Sequence, residues 1–270
     1  MKPDTSLRIW PRDVEGERQP ILELFPLDVN LAADTVLVLP GGGYSVTSPR
    51  EADRIAYAFN QQGFQAAVLH YRVAPRRYPE PQQDAIRAIR LLRAHAAEWK
   101  LGPRLAVCGF SAGGHLAACC GTIWNEIDAD AGDDADKMES RPDALILGYP
   151  VISLSGFGFG HSGSGSNLLG EGKKVSKLWK SLELQNRVTE KTPPSFLWHT
   201  ATDGTVHRRN SLAFAEAAWE AGVPAELHVF SRGPHGLALC ARHPEAAKWV
   251  DLAGNFLREV CGFATAHPIQ

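Results

Sequence analysis

The chain has 270 residues, 44 % of them apolar and 21 % charged, with a formal net charge of −2 when histidine is neutral. That is the composition of a globule with a sizeable core, and α/β chains of this length commonly form one domain, here expected over 1–270. So balanced a charge gives no electrostatic reason for nucleic acid or an anionic membrane as partner, and no stretch approaches the roughly 18 apolar residues that span a bilayer.

In chain order, "LRIWP" (7–11) and "ILELFPLD" (21–28) predict two edge strands, an antiparallel pair. "DTVLVLPGG" (34–42), "QAAVLHYR" (65–72), "RLAVCGF" (104–110), "DALILGYP" (143–150), "SFLWHTATD" (195–203) and "AELHVF" (225–230) predict six more. Several are apolar nearly throughout, as strands buried on both sheet faces are. Helical patterns lie between them at 48–63, 81–99, 112–127 and 207–222. In the second, Ile86, Ile89 and Leu92 recur at helical spacing with arginines on the opposite face. Gly63 and Gly222 stand where C-terminal caps belong. The alternation predicts an α/β fold: a mostly parallel eight-stranded sheet with helices on both faces.

Two segments interrupt it. Residues 128–142, "DADAGDDADKMESRP", are acidic, and Asp128, Asp130 and Glu139 fall at positions 1, 3 and 12 of a calcium-loop register. Gly132 at position 5 and Asp133 at the turn spoil that register, so a solvated surface loop is expected. Residues 153–176, "SLSGFGFGHSGSGSNLLGEGKKVS", are rich in glycine and serine. They read as a linker or, better, as a loop or small lid over an active site, the usual reason for so long a loop in a compact domain.

The chemistry gathers around "LAVCGFSAGGHLAACCG" (105–121). Gly109-Phe110-Ser111-Ala112-Gly113 matches G-x-S-x-G between a buried strand and a helix-forming run. Glycines two positions either side of the serine permit a sharp strained turn that exposes its Oγ at the positive end of the helix. The plainer alternative makes Gly109, Gly113 and Gly114 a tight turn in which Ser111 caps the helix. A serine nucleophile needs a base, and His235, in a loop after the last strand, lies at the carboxyl edge of the sheet where reacting groups collect. His161 in the Gly/Ser loop is a rival base and His243 lies further on. His70, His95, His115, His199 and His228 read as structural. Asp203 ends another strand at the same edge, giving the order Ser111, Asp203, His235. His199, Asp203 and His207 are spaced like metal ligands on a helix, but the strand reading of 195–200 scatters them, so no metal or other cofactor is expected. "LPGGGYS" (39–45) has neither phosphate-loop nor dinucleotide signature, and Gly42 and Gly43 are expected to supply oxyanion N–H groups together with Ala112. Tyr44 would offer a flat face to a sugar ring, and His161 and Asn167 would hydrogen-bond a polyhydroxylated alcohol.

Taken together, "PGGGY", "YRVAPRRYPEPQQDAIRAIRLL", "GFSAGGHLAA", "GSGSNLLG" and "HTATDGTVHRRNS" resemble the serine esterases of the α/β-hydrolase superfamily, over roughly residues 35–240. The resemblance is nearest to the small bacterial acetylesterase and xylan-esterase-like branch, beside the hormone-sensitive-lipase-like esterases. It implies the α/β-hydrolase fold, Ser111, Asp203 and His235 as triad, and a small-molecule ester, a short-chain acetyl ester, as partner. Pro40 departs from the histidine that lipase-like relatives carry before the glycines, and His207 from the proline usual in this branch. An arylformamidase or amidase on the same triad is an alternative, and an inactive hydrolase fold used for binding is another of a different class.

Five cysteines are an odd number without a C-x-x-C pair, which fits reduced, buried thiols. With no apolar run at "MKPDTSLRIWPRD", this points to a cytoplasmic protein.

Overall fold

Alternate residues of the central strands face opposite sides of one sheet, and both sides are apolar, so helices must cover both. The computed structural model describes residues 5–12, 19–27, 32–155, 158–170 and 177–266. Its strands are β1 (Thr5–Arg8), β2 (Ile21–Phe25), β3 (Ala33–Leu39), β4 (Gln65–His70), β5 (Leu101–Phe110), β6 (Ala144–Gly148), β7 (Ser195–Thr200) and β8 (Ala225–Phe230). They form an eight-stranded sheet in the order β1-β2-β4-β3-β5-β6-β7-β8. β2 is antiparallel to both β1 and β4, and every pairing from β4 to β8 is parallel.

The helices are α1 (Asp53–Gln61), α2 (Glu80–Ala94), α3 (Ala112–Thr122), α4 (Ser162–Leu169), α5 (Lys177–Ser181), α6 (Arg209–Glu220), α7 (Pro244–Ala247) and α8 (Trp249–Asn255). Leu37, Leu39, Val107 and Leu145 belong to one core with Ile86 and Ile89 of α2, Leu116 of α3 and Phe214 of α6. Their strand neighbours Val36, Val38, Ala106 and Ile146 belong to the other, with Ile55 and Phe59 of α1 and Trp249 of α8. The period-2 split of each strand between the two cores is what a doubly covered sheet requires. Trp198 of β7 stacks on Trp249 at 5.3 Å.

Gly63 and Gly222 adopt positive φ (87° and 72°) directly after α1 and α6, as capping glycines do. The predicted helix at 48–63 starts later: Pro49–Glu51 form a 3₁₀ turn before α1. The helix predicted to residue 99 ends at Ala94, and His95 stacks on Trp99 at 4.6 Å across the turn that follows. Cys108, Cys119, Cys120 and Cys240 are buried and Cys261 partly so, all as free thiols.

Most of the acidic residues at 128–142 are exposed, and several of them are paired with arginine. Asp133 and Asp136 receive the guanidinium of Arg87, which is 2 % exposed, and Asp130 receives Arg90 at 2.7 Å. The arginines that read as the solvent face of α2 hold this loop down instead. The Gly/Ser segment likewise contains α4, unforeseen because its glycines argue against helix. Gly165 is required there, since a Cβ would lie 2.2 Å from the ring of Trp179. Among the described residues, no helix is long and apolar enough to cross a membrane.

Candidate active site

β5 runs into α3 through Ser111, whose φ of 53° places it in a conformation that costs an L-residue roughly 1–2 kcal/mol. The neighbouring glycines follow from space alone. A Cβ on Gly109 would lie 2.1 Å from Gly113 O, and one on Gly113 would lie 2.2 Å from Leu39 O. The turn is pinned by Ser111 N–H donating to Gly148 O (3.0 Å) and by Ser111 O accepting from His115 and Val151 N–H (3.2 and 2.9 Å). Ser111 is 8 % exposed and directly follows the carboxyl end of β5.

His235 and Asp203 reach the same point from the loops after β8 and β7. His235 Nε2 lies 2.8 Å from Ser111 Oγ, and His235 Nδ1 lies 2.7 Å from Asp203 Oδ2. Because the carboxylate can only accept, Nδ1 carries the proton and Nε2 is free to accept from the serine hydroxyl. Asp203 Oδ1 accepts from Thr205 and Val206 N–H (2.9 and 3.0 Å), which fixes the carboxylate plane. Burial alone would raise the Asp203 carboxyl. Hydrogen bonding from His199 and His235, the charge of the latter, and the Val206 N–H outweigh burial and hold it well below the usual carboxylate range.

The loop after β3 passes directly against the serine: a Cβ on Gly41 would lie 2.9 Å from Ser111 Cβ. Among the described residues no acceptor takes the N–H of Gly42, Gly43 or Ala112. Asn167 Nδ2 donates to Gly43 O at 2.8 Å and thereby ties α4 to this loop. A cleft of about 480 Å³, lined by Ala74, Pro75, Arg77, Ser166 and Asn167, adjoins it.

The remaining expected contacts sort differently. The expectation for Tyr44 is corrected: its ring is 1 % exposed, and its hydroxyl meets His115 Nδ1 at 2.9 Å in the core, so it offers no face to a sugar. Burial pushes His115 down to about 4, and a neutral imidazole there accepts from Tyr44 while Nε2 donates to Leu182 O. Asn167 donates an amide N–H to Gly43 O. His161 caps α4 through Nδ1, which accepts from Ser164 N–H and Oγ (3.2 and 2.9 Å). Burial, then the nearby His235, lowers its pKa, and the imidazole on Ser111 is that of His235, not His161. The metal-like spacing of His199, Asp203 and His207 does not converge, since His207 is exposed and accepts from Arg209 N–H. Residues 156–157 and 171–176 of the expected lid lie outside the described residues.

Sequence reasoning missed Glu51 and Tyr149. The ring of Tyr149 meets His235 edge-on at 5.0 Å, and its hydroxyl donates to Glu51 Oε1 at 2.6 Å. Neither carries a sequence signal: a tyrosine ending an apolar strand reads as core, and a glutamate in "SPREAD" reads as a solvated helix face.

Residues 25–218 match the BD-FAE family. The chain is 34 % identical over 211 residues, 76 % of its length, to endo-1,4-beta-xylanase B of Butyrivibrio fibrisolvens. It is 30 % identical over 239 residues, 87 % of its length, to an acetylxylan esterase of Xylanibacter ruminicola. It spans only 33 % and 47 % of those two proteins' own lengths. The crystal structure of an acetyl ester-xyloside bifunctional hydrolase from Caldicellulosiruptor lactoaceticus superposes with a TM-score of 0.90 at 38 % identity, covering 96 % of this chain and 97 % of that one. The fold is therefore the α/β-hydrolase fold of esterases.

Proposed function

The chain belongs to the BD-FAE family, and from that premise we propose that it is a serine esterase that removes short acyl groups, chiefly acetyl, from carbohydrate esters. The observation that carries the reading is the single imidazole of His235, bonded to Ser111 Oγ at 2.8 Å and to Asp203 at 2.7 Å. Ser111 Oγ attacks the ester carbonyl as His235 Nε2 takes its proton. The N–H groups of Gly42, Gly43 and Ala112 receive the negative oxygen of the tetrahedral intermediate, each worth about 3 kcal/mol to such a transition state. His235 then protonates the departing alcohol, and an acyl group remains on Ser111. Water, deprotonated by the same imidazole, releases the acid and restores the serine. Asp203 keeps Nδ1 protonated throughout and stabilises the imidazolium.

Support for a sugar alcohol is twofold. The relatives include an acetylxylan esterase and an acetyl ester-xyloside hydrolase. The cleft beside the oxyanion loop is lined by Arg77, Ser166 and Asn167, groups suited to hydroxyls rather than alkyl chains. The test is covalent labelling by a fluorophosphonate together with acetate release from acetylated xylan. Labelling of the parent but not of Ser111→Ala, with acetate released, is expected. An unlabelled serine would leave the fold as a binding module, and labelling without acetate release would remove the carbohydrate.

A further inference from the structure

Glu51, at the end of the loop after β3, is 3 % exposed, and among the described residues no cation pairs with it. A buried carboxylate without a cation is costly unless hydrogen bonds hold it. Here Oε2 accepts from Gly41 N–H (2.8 Å) and Oε1 from Tyr149 O–H (2.6 Å). The Tyr149 hydroxyl oxygen in turn accepts from Ala238 N–H at 3.0 Å, three residues after His235. One carboxylate therefore links the strand-end loop that lies against Ser111 to the loop that carries the base.

We propose that Glu51 is a positioning residue of the esterase reaction, its carboxylate setting the oxyanion loop through Gly41 and the His235 loop through Tyr149. The inference rests on the triad reading above. Three further observations converge on it. Glu51 Oε2 and Ser111 Cβ both lie within 3 Å of the point where a Cβ on Gly41 would sit, at 2.7 and 2.9 Å, so the carboxylate stands directly behind the nucleophile's turn. The Tyr149 ring supports the imidazole edge-on at 5.0 Å. Tyr149 and Ala238 hold positive φ (35° and 48°), strain that a fixed network can maintain. Burial first, and the neighbouring Glu51 second, raise the Tyr149 phenol, so it stays a donor.

The chemistry demands a carboxylate rather than its amide. Both oxygens of Glu51 accept, whereas glutamine keeps only one acceptor: either its N–H₂ faces Gly41 N–H, donor against donor, or Tyr149 must turn its O–H away to accept from the amide, and the bridging bond reverses. Glu51→Gln is expected to keep its fold and lower kcat on p-nitrophenyl acetate at least about tenfold, with KM within about twofold, as loss of transition-state groups does. Fluorophosphonate labelling of Ser111 should slow by a comparable factor, because it uses the same donors and base. Tyr149→Phe, which removes only the bridging hydroxyl, should lower kcat at least about threefold in the same pattern and decides the matter if Glu51→Gln does not fold. Both variants keeping kcat within about twofold of the parent, or raising KM alone, would overturn the proposal. Ser111→Ala is the control: if it stays active, the triad reading falls and this one with it, and if it is inactive the variants report on Glu51 alone.

Discussion

His199 Nε2 lies 3.4 Å from Asp203 Oδ2, the same carboxylate oxygen that receives His235. His199 is fully buried; its Nε2 donates to Val206 O (2.9 Å) and its Nδ1 accepts from Ser211 O–H (2.8 Å), so it cannot turn away. The acid is thus oriented from two sides. Its carboxyl is held below the usual range, so its ionised form favours the folded state. That contribution is complete above the unfolded aspartate value, roughly pH 4, and is lost as pH falls through the depressed folded value. The difference in unfolding free energy between the parent and Asp203→Asn, measured in urea, should therefore shrink below about pH 4. A difference independent of pH would mean that Asp203 is not held as described.

The triad acts as a unit, so its substitutions should not add. Ser111→Ala and His235→Ala should each lower kcat by about three orders of magnitude or more, and the double variant by little beyond either. Asp203→Asn should also be severely impaired, because an amide at 2.7 Å from Nδ1 favours the wrong tautomer. Steady-state kinetics on p-nitrophenyl acetate decide this. Substantial activity in Asp203→Asn would require another acid.

Two adjacent glycines should respond differently to one methyl group. A Cβ on Gly42 would lie 2.1 Å from Val46 O, a backbone contact that cannot yield, and its φ is 131°. At Gly43 the nearest atoms stand 3.9 Å away or more and φ is 66°, within reach of an L-residue at about 1 kcal/mol. Gly42→Ala should lower kcat by about a hundredfold or more, the scale of a lost oxyanion donor, and Gly43→Ala by less than about tenfold. Equal effects, or the reverse order, would misplace the oxyanion loop.

The sheet, the strand–helix alternation and the meeting of Ser111, His235 and Asp203 were legible because each leaves a local pattern: both-face apolar strands, G-x-S-x-G, and a histidine and an aspartate just past strand ends. What stayed hidden depends on side-chain direction. Tyr44 follows the oxyanion glycines, yet φ of 60° swings its ring inward to His115. Asn167 sits in a glycine-rich run whose helix forms through packing on Trp179 rather than through propensity. Glu51 and Tyr149 meet across 98 residues of sequence, a pairing that no periodicity encodes.

Arg87 shows the same limit in stability. It lies 2 % exposed, with Nε donating to Ile9 O at 3.0 Å and its other nitrogens on Asp133 and Asp136. Arg87→Ala removes all of these and should cost about 3 kcal/mol, the lower end for breaking such a cluster because Asp133 keeps access to water. Arg90→Ala, whose partner Asp130 is 64 % exposed, should cost at most about 1 kcal/mol. With these carboxylates engaged by arginine, millimolar calcium or EDTA should leave the melting temperature unchanged. Thermal melts test all three, and a calcium-dependent rise would return the acidic segment to the cation loop it imitates.

The acyl pocket is the last point at issue. A lipase-like enzyme needs apolar surface beside its serine, and each methylene so buried gains about 0.8 kcal/mol, close to fourfold in kcat/KM. The helix over this cleft offers little. Leu168 is fully buried in the core, and the residues of α4 that line the neighbouring cleft are Ser166 and Asn167. Asn167 is also fixed to Gly43, so the helix cannot withdraw to admit a long chain without disturbing the oxyanion loop. Acetyl and propionyl esters should therefore outpace octanoyl and longer ones, with kcat/KM failing to rise beyond a few carbons. The measurement is kcat/KM across p-nitrophenyl esters from two to twelve carbons, beside acetate release from a peracetylated xyloside. A maximum at eight carbons or more without acetate release would mean that α4 opens, and that the cleft receives alkyl chains rather than sugar.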